Sequence, residues 1–139
     1  MSGVHMTKPD VFFDTNILLH AFDSDVAKAA RTHDLLAIGG VISVQVLNEF
    51  ANVALRKWKC GWPEIKEMLE AIRANCLVVP ITVEVHERGL AYAERHQFSI
   101  YDSFIVAAAV LAGCATLYSE DMNDGQVIDG VKVNNPYRA

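Results

Sequence analysis

Val11-Phe12-Phe13-Asp14-Thr15-Asn16 is an apolar run that ends abruptly in an acid and two polar residues. This pattern is typical of a buried strand that stops where a helix begins. The structural interpretation of Asp14 is a helix N-cap, and the functional interpretation is a metal ligand that Asn16 orients by hydrogen bonding. Both interpretations place Asp14 at the carboxyl end of a strand.

Short apolar runs and longer helical segments alternate along the rest of the chain. We predict strands over residues 11–13, 41–44, 77–81, 115–118 and, more weakly, 131–133, with Pro80 marking the third strand as an end or an edge. We predict helices over 25–38 (capped by Ser24, ended by Gly39-Gly40), 44–59, 63–74 (begun by Pro63), 83–96 (capped by Thr82) and from Ser99 to Gly113. Alternating strands and helices favour a three-layer α/β/α fold around a mainly parallel sheet of four or five strands.

The length and composition fit one folded domain over residues 1–139, with residues 1–9 expected to form a flexible extension. The hydrophobic fraction of 52% and the charged fraction of 21% are those of a globular protein, not a disordered one. No apolar run is long enough to span a bilayer or to serve as a signal peptide, so we expect a cytoplasmic protein. Cys60, Cys76 and Cys114 lack CxxC spacing, which argues against a disulfide framework and a zinc site.

The charge balance restricts the partners without excluding nucleic acid. A net charge of -5 argues against broad, non-specific nucleic-acid binding, which depends on Lys and Arg neutralising phosphates. A nuclease remains open, because a bound divalent cation reverses the sign of an acidic site. Arg56, Lys57 and Lys59 cluster near Trp58 and Trp62, where a solvated helix end is the simplest interpretation. The two successive helices around these tryptophans are expected to form an arm that packs on a partner.

Three further acids stand where an α/β fold can bring them to Asp14. Asp102 precedes the uncharged stretch 103–113, so it opens a buried helix, although a carboxylate also suits any first helical turn. Glu49 lies on a polar helix face, opposite a face of apolar side chains that we expect to be buried. The polar face comprises Gln45, Asn48, Glu49, Asn52 and Arg56, and the apolar face comprises Leu47, Ala51, Ala54 and Trp58. The fourth acid is Asp121, just past the strand that ends at Tyr118, with Asp124 as the alternative.

Such acids indicate a metal-dependent phosphodiesterase. Ligands bind outside the carboxyl ends of parallel strands, and converging carboxylates repel one another unless a cation joins them. Oxygen ligands favour Mg²⁺ or Mn²⁺, and Mg²⁺ favours phosphate substrates. Competing sites are not supported, because the five histidines lack metal-ligand spacing and no GxSxG, GxxxxGK[ST] or GxGxxG motif occurs.

The order of four short motifs resembles the PIN domain family, and within it the toxin ribonucleases of bacterial VapBC toxin–antitoxin pairs. These motifs are Phe13-Asp14-Thr15-Asn16, Asn48-Glu49-Phe50, Tyr101-Asp102-Ser103 and Ser119-Glu120-Asp121. The resemblance implies that Asp14, Glu49, Asp102 and Asp121 form the acidic quartet, with Asn16 and Ser119 as supporting residues. Asp124 remains a contributor or a replacement for Asp121. The resemblance also implies an endoribonuclease that uses Mg²⁺ or Mn²⁺, forms homodimers, and is inhibited by a cognate antitoxin.

The expected chemistry is hydrolysis of RNA by a water that one or two divalent ions activate, leaving 5′-phosphate and 3′-hydroxyl ends. Two alternatives stay open at this point. An aspartyl-phosphate phosphatase would use Asp14 as a nucleophile, but Asn16 stands where that class needs a second Asp. A non-catalytic PIN-like binding module would keep the acids as a solvated edge.

Overall fold

The computed structural model describes residues 9–138, which contain six strands and six helices. The strands are β1 (Val11–Phe13), β2 (Gly40–Ser43), β3 (Cys76–Val79), β4 (Thr116–Tyr118), β5 (Val127–Ile128) and β6 (Val131–Asn134). The helices are α1 (Thr15–His20), α2 (Val26–Ile38), α3 (Val44–Arg56), α4 (Trp62–Asn75), α5 (Val83–His96) and α6 (Ile100–Leu111). The expected flexible extension over residues 1–9 lies, apart from Pro9, outside the described residues.

The six strands form one mainly parallel sheet in the order β3-β2-β1-β4-β6-β5. Only β5 and β6 pair in the antiparallel direction, and β3 lies at an edge as Pro80 predicts. The predicted α/β class is confirmed. The predicted number of strands was too low, because β5 has two residues and is defined by its pairing with β6 rather than by an apolar pattern of its own.

The central strands are buried on both faces. Consecutive strand residues point to opposite faces, and neighbours such as Phe12 with Phe13 and Val41 with Ile42 are all fully buried. The middle of helix α6, including residues 105–109, is also buried, as the uncharged stretch 103–113 predicts. Gly89 lets α5 approach α6 closely, since a Cβ there would lie 2.3 Å from a ring carbon of Phe104.

The predicted helix caps are mostly confirmed. The side chain of Thr82 accepts a hydrogen bond from the backbone N–H of Val85, and Gly39 ends α2 with a φ of 95°. The Ser24 cap was wrong, because the carboxylate of Asp25 instead accepts from the N–H of Lys28. Asp25 stands directly before the first helical residue, whereas Ser24 is one residue too early. Helix α4 begins at Trp62, one residue before the predicted start.

The buried face of α3 is rotated by one position from the predicted apolar face. The structure buries Val46, Phe50 and Ala54, whereas Leu47 and Ala51 are only partly buried and Trp58 is 39% exposed. Phe50 explains the rotation, because its ring packs edge-on against Phe22 at 5.7 Å and Trp58 at 6.1 Å between centroids. The polar residues of α3 remain on the opposite side. Among the helices of residues 9–138, none has the length and apolar character needed to cross a membrane.

Candidate acidic active site

Two neighbouring parallel strands bring Asp14 and Ser119 together. Phe13 of β1 pairs with Tyr118 of β4, so the next residue on each strand leaves the sheet at the same edge. The backbone N–H of Asp14 extends this pairing by donating to the carbonyl of Tyr118 at 2.9 Å. The hydroxyl of Ser119 then donates to Oδ2 of Asp14 at 2.8 Å. The sheet register therefore fixes the first contact of the site.

Asp14 is a buried carboxylate, 5% exposed, that also caps α1. Its Oδ1 accepts from the backbone N–H of Thr15 at 2.7 Å. The pKa of Asp14 is raised from 3.8 to about 7, chiefly by burial; hydrogen bonds from Ser119 and Thr15 lower it, and the negative charges of Asp102 and Glu49 add to the rise. The surroundings of Asp14 thus disfavour its ionised form.

Asn16 links Asp14 to the segment that follows β4. Its Nδ2 donates to Oδ2 of Asp14 at 3.3 Å and to Oδ2 of Asp121 at 3.0 Å. Its Oδ1 accepts from the backbone N–H of Glu120 at 3.2 Å. One amide side chain therefore holds two of the sequence-predicted acids near each other, although they are distant in the chain.

Glu49 reaches the same group from the polar side of α3. Its Oε1 accepts from the hydroxyl of Thr15 at 2.5 Å, and its Oε2 accepts from Nε2 of Gln45 at 3.3 Å. Thr15 therefore contacts Asp14 through its backbone and Glu49 through its side chain. The sequence reasoning gave Thr15 no role, and the hydroxyl directly after Asp14 was the only signal available.

Asp102 lies in the first turn of α6 and is partly buried. Its backbone N–H donates to the hydroxyl of Ser99 at 3.2 Å, which confirms Ser99 as the cap. Burial raises the pKa of Asp102, the hydrogen bond with Ser99 lowers it, and the charge of Asp121 raises it. The negative charge of Asp121 therefore contributes to the raised pKa of Asp102, just as the charges of Asp102 and Glu49 contribute to that of Asp14.

Asp124 is held apart from these four acids. Its Oδ1 accepts from the backbone N–H of Asn135 at 2.8 Å, and its Oδ2 lies 3.9 Å from Nη1 of Arg138. Its carboxylate thus fixes the chain after β6. Of the two alternatives for the fourth acid, the structure connects Asp121 to Asp14 and gives Asp124 a separate structural partner.

A charged cluster beside the acids was missing from the sequence predictions. His20 lies 2.7 Å from carboxylate oxygens of both Asp23 and Glu120, and Nζ of Lys28 lies 2.5 Å from the other oxygen of Glu120. Burial raises the pKa of Glu120, but the hydrogen bonds from Lys28 and His20 outweigh it, and the pKa is lowered overall. Glu120 is therefore an ionised residue of this cluster, turned away from Asp14.

The donor set fits a hard divalent cation that takes few protein ligands. No three His, Cys, Asp or Glu side chains in the described part of the chain lie in an arrangement that would enclose a metal ion. Burial is the main cause of the raised pKa values of Asp14 and Asp102, and smaller contributions come from Asp102 and Glu49 on Asp14 and from Asp121 on Asp102, which link the four acids electrostatically. Mg²⁺ is commonly held by one or two carboxylates with water and substrate phosphates, so an enclosing cluster is not required.

Comparisons with known proteins agree with this architecture. A family model of the PIN domain matches residues 11–123. No curated protein sequence gives a significant match. A toxin–antitoxin complex from Klebsiella pneumoniae is similar in fold, with 23% identity, a TM-score of 0.72, and coverage of 93% of this chain and 99% of that chain. VapC20 from Mycobacterium tuberculosis, a toxin that cleaves the sarcin–ricin loop, has 22% identity, a TM-score of 0.65, and coverage of 80% and 89%.

Proposed function

Since the chain belongs to the PIN domain family, we propose that it is a Mg²⁺- or Mn²⁺-dependent endoribonuclease and the toxin of a toxin–antitoxin pair. The observation that carries the proposal is the buried Asp14 carboxylate, whose pKa is raised by burial and by the charges of Asp102 and Glu49. The two similar structures support the same assignment, because one is a toxin–antitoxin complex and the other an RNA-cleaving toxin.

We propose that Asp14 and Asp102 hold the cation directly and that Glu49 and Asp121 complete its surroundings. The Asp14 carboxylate accepts three hydrogen bonds, which leaves about one of its roughly four lone-pair sites for a cation. When bound, a divalent cation would activate water and neutralise charge on the scissile phosphate. Asn16 keeps Asp121 beside Asp14. The proposed products carry 5′-phosphate and 3′-hydroxyl ends.

In this mechanism Glu49 orients or deprotonates the attacking water. Its carboxylate is held by Thr15 at one oxygen and by Gln45 at the other, so its position is set before substrate binds. The contact with Gln45 is long, at 3.3 Å, and leaves Oε2 the more available oxygen. A carboxylate that is fixed in advance can hold the attacking water opposite the leaving group, as in-line attack requires.

The phosphatase alternative is weakened by Asn16. That reaction needs an acid at this position to protonate the leaving group, whereas the Asn16 amide donates to two carboxylates and has no proton to transfer. The binding-module alternative makes a different prediction, namely that neither Mg²⁺ nor Mn²⁺ gives rise to RNA cleavage.

We propose that the antitoxin segment docks in an apolar groove that adjoins Asn16. This groove has a volume of about 640 Å³, and its apolar wall comprises Leu19, Phe22, Trp58, Cys60 and Met68. A partner bound there would contact Asn16, whose amide hydrogen-bonds to Asp14 and Asp121, and we expect it to block access to these acids. Copurification with the product of a neighbouring short open reading frame tests the proposal, and a copurified complex that still cleaves RNA would refute the blocking role.

A homodimer is proposed on the family resemblance alone, and a single-chain mass by light scattering would refute it.

The nuclease proposal is tested by cleavage of a mixed RNA panel with Mg²⁺ or Mn²⁺, comparing wild type with Asp102→Asn. We expect Asp102→Asn to lower the cleavage rate by about 100-fold or more, because it removes a proposed ligand without changing side-chain size. Asp34→Asn, which removes an exposed acid of α2, is the matched control and should cleave like wild type. Equal cleavage by wild type and Asp102→Asn would indicate a contaminant, and 2′,3′-cyclic phosphate ends would refute the proposed water attack.

A further inference from the structure

A second groove, beside Glu49, has the chemistry of a nucleobase site. We define the amide groove by Gln45, Asn48 and Asn52 on α3 and by Tyr101 and Phe104 on α6. Its volume is about 530 Å³, within the roughly 300–1,000 Å³ typical of small-ligand sites. Glu49 also lines it, so the amide groove is continuous with the proposed active site.

The amides of the groove divide into one that is engaged and two that are available. Nε2 of Gln45 donates to the carbonyl of Tyr101 at 3.0 Å and to Glu49 at 3.3 Å, which fastens α3 to the start of α6. Asn48 and Asn52 are exposed, and neither side chain has a hydrogen-bond partner within residues 9–138. Each presents a donor and an acceptor, the combination that matches the hydrogen-bonding edge of a base.

Tyr101 supplies an aromatic surface opposite these amides. It is 64% exposed, so most of its ring surface is accessible to a ligand. The ring of Phe104 supports it edge-on, with 6.2 Å between centroids and an interplanar angle of 80°. Exposed aromatic rings next to polar grooves are where proteins stack the bases of single-stranded nucleic acids.

The same helix face that carries the free amides ends in positive charge. Spacings of three or four residues place Asn48, Asn52 and Arg56 in one row along α3, and exposed Lys57 and Lys59 follow. Positive charge at this end suits the phosphates of a strand that leaves the acidic site. This side of α3 therefore places amides that can hydrogen-bond to a base near Glu49, and positive side chains that can bind phosphate further along the chain.

We propose that the amide groove binds one nucleotide of single-stranded RNA next to the cleavage position. The base stacks on Tyr101, Asn48 and Asn52 select it by hydrogen bonding, and Arg56 contacts a phosphate of the same strand. This inference rests on the proposed ribonuclease function and adds the preference for an unpaired base. It assigns base selectivity to side chains outside the acidic quartet.

The test measures RNA binding separately from cleavage. Asp102→Asn protein is titrated into four fluorescent single-stranded homopolymers, and dissociation constants are measured by anisotropy. In this background we expect Tyr101→Leu to weaken binding by roughly tenfold. Tyr101→Phe keeps the aromatic ring and should bind RNA as tightly as the Asp102→Asn parent. Asn48→Ala and Asn52→Ala should change the order of preference among the four bases. Arg56→Gln should weaken binding to all four and reduce its salt dependence.

The control is Asn75→Ala, because Asn75 is exposed but its amide donates to its own helix at Ala71. It should bind all four RNAs like the Asp102→Asn parent. Unchanged affinities and unchanged base preference in Tyr101→Leu and Asn48→Ala would overturn the inference, even if wild type cleaves RNA. Weakened binding by these variants, together with inactive wild type, would support the groove and refute the nuclease proposal. A lower mass of Tyr101→Leu by light scattering would show that a second copy of the chain covers the groove, and would overturn the inference.

Discussion

Replacing Asp14 with asparagine should remove the contribution that this carboxyl group makes to the pH dependence of stability between about pH 4 and pH 7. The carboxyl group is buried, and burial is the main reason that its pKa rises from 3.8 to about 7. In the unfolded chain the group returns to its ordinary pKa. Between these two values the folded state holds a proton that the unfolded state has released.

This difference fixes the sign of the effect. The pKa of Asp14 is higher in the folded state than in the unfolded state. The contribution of this carboxyl group to the free energy of unfolding is therefore fully present below about pH 4 and is lost as pH rises through about 7. A difference of about three pKa units, at about 1.4 kcal/mol each, corresponds to about 4 kcal/mol between the two limits. The expected slope is a loss of about 1.4 kcal/mol per pH unit within this window.

The assay is urea unfolding of wild type, Asp14→Asn and the exposed control Asp34→Asn, each from pH 4.5 to 8 with a chelator present. The chelator matters because a bound cation would stabilise the carboxylate and hide the slope. The difference between wild type and Asp14→Asn isolates this carboxyl group, since the other titrating groups are common to both. Parallel stability curves for these two proteins would refute the reasoning, because they would mean that Asp14 titrates at its ordinary pKa in the folded state.

Two further substitutions probe the contacts around the site and the core beneath it. Ser119→Ala removes the donor to Asp14 and the acceptor for the N–H of Met122, so urea unfolding should show a loss of about 1–3 kcal/mol that is larger at pH 8 than at pH 5. An equal loss at both pH values would mean that Ser119 does not stabilise the ionised carboxylate. Gly89→Ala should destabilise by about 1–3 kcal/mol, although alanine is the better helix former, because its Cβ would overlap the Phe104 ring. Phe104→Leu in the same chain should recover part of that loss, and a Gly89→Ala protein as stable as wild type would contradict the packing argument.

The elements with strong local signals could be predicted from the sequence. Strand β1 and helix α5 match their predicted bounds, because β1 ends at a sharp change from apolar to polar residues and α5 has a threonine cap. Strand β5 was missed, since two residues are too few for any periodicity. A signal for it was present in Asp129-Gly130, whose positive φ values of 44° and 86° form the two-residue turn between β5 and β6.

The candidate site was predictable where it depends on strand order and unpredictable where it depends on side-chain placement. The expectation that residues following parallel strands meet at one edge is sufficient to bring Asp14 near Ser119. The hydrogen bond from Thr15 to Glu49 depends on the position of α3 relative to α1, and no local pattern encodes that position. The contact between His20 and Glu120 is of the same kind, which is why the histidines gave no signal in the sequence.

The segment after β4 explains physically why Asp121 rather than Asp124 belongs in the proposed quartet. Three consecutive residues face three different partners: Ser119 turns inward to Asp14, Glu120 turns to His20 and Lys28, and Asp121 turns to Asn16. A shift of one residue would bury Glu120 against the Asp14 carboxylate, without the hydroxyl donor and without its own cations. Two like charges in a buried position are strongly unfavourable. The contacts of Ser119 and Glu120 therefore fix the position of this segment along the chain, and in that position Asp121 is the acid that contacts Asn16.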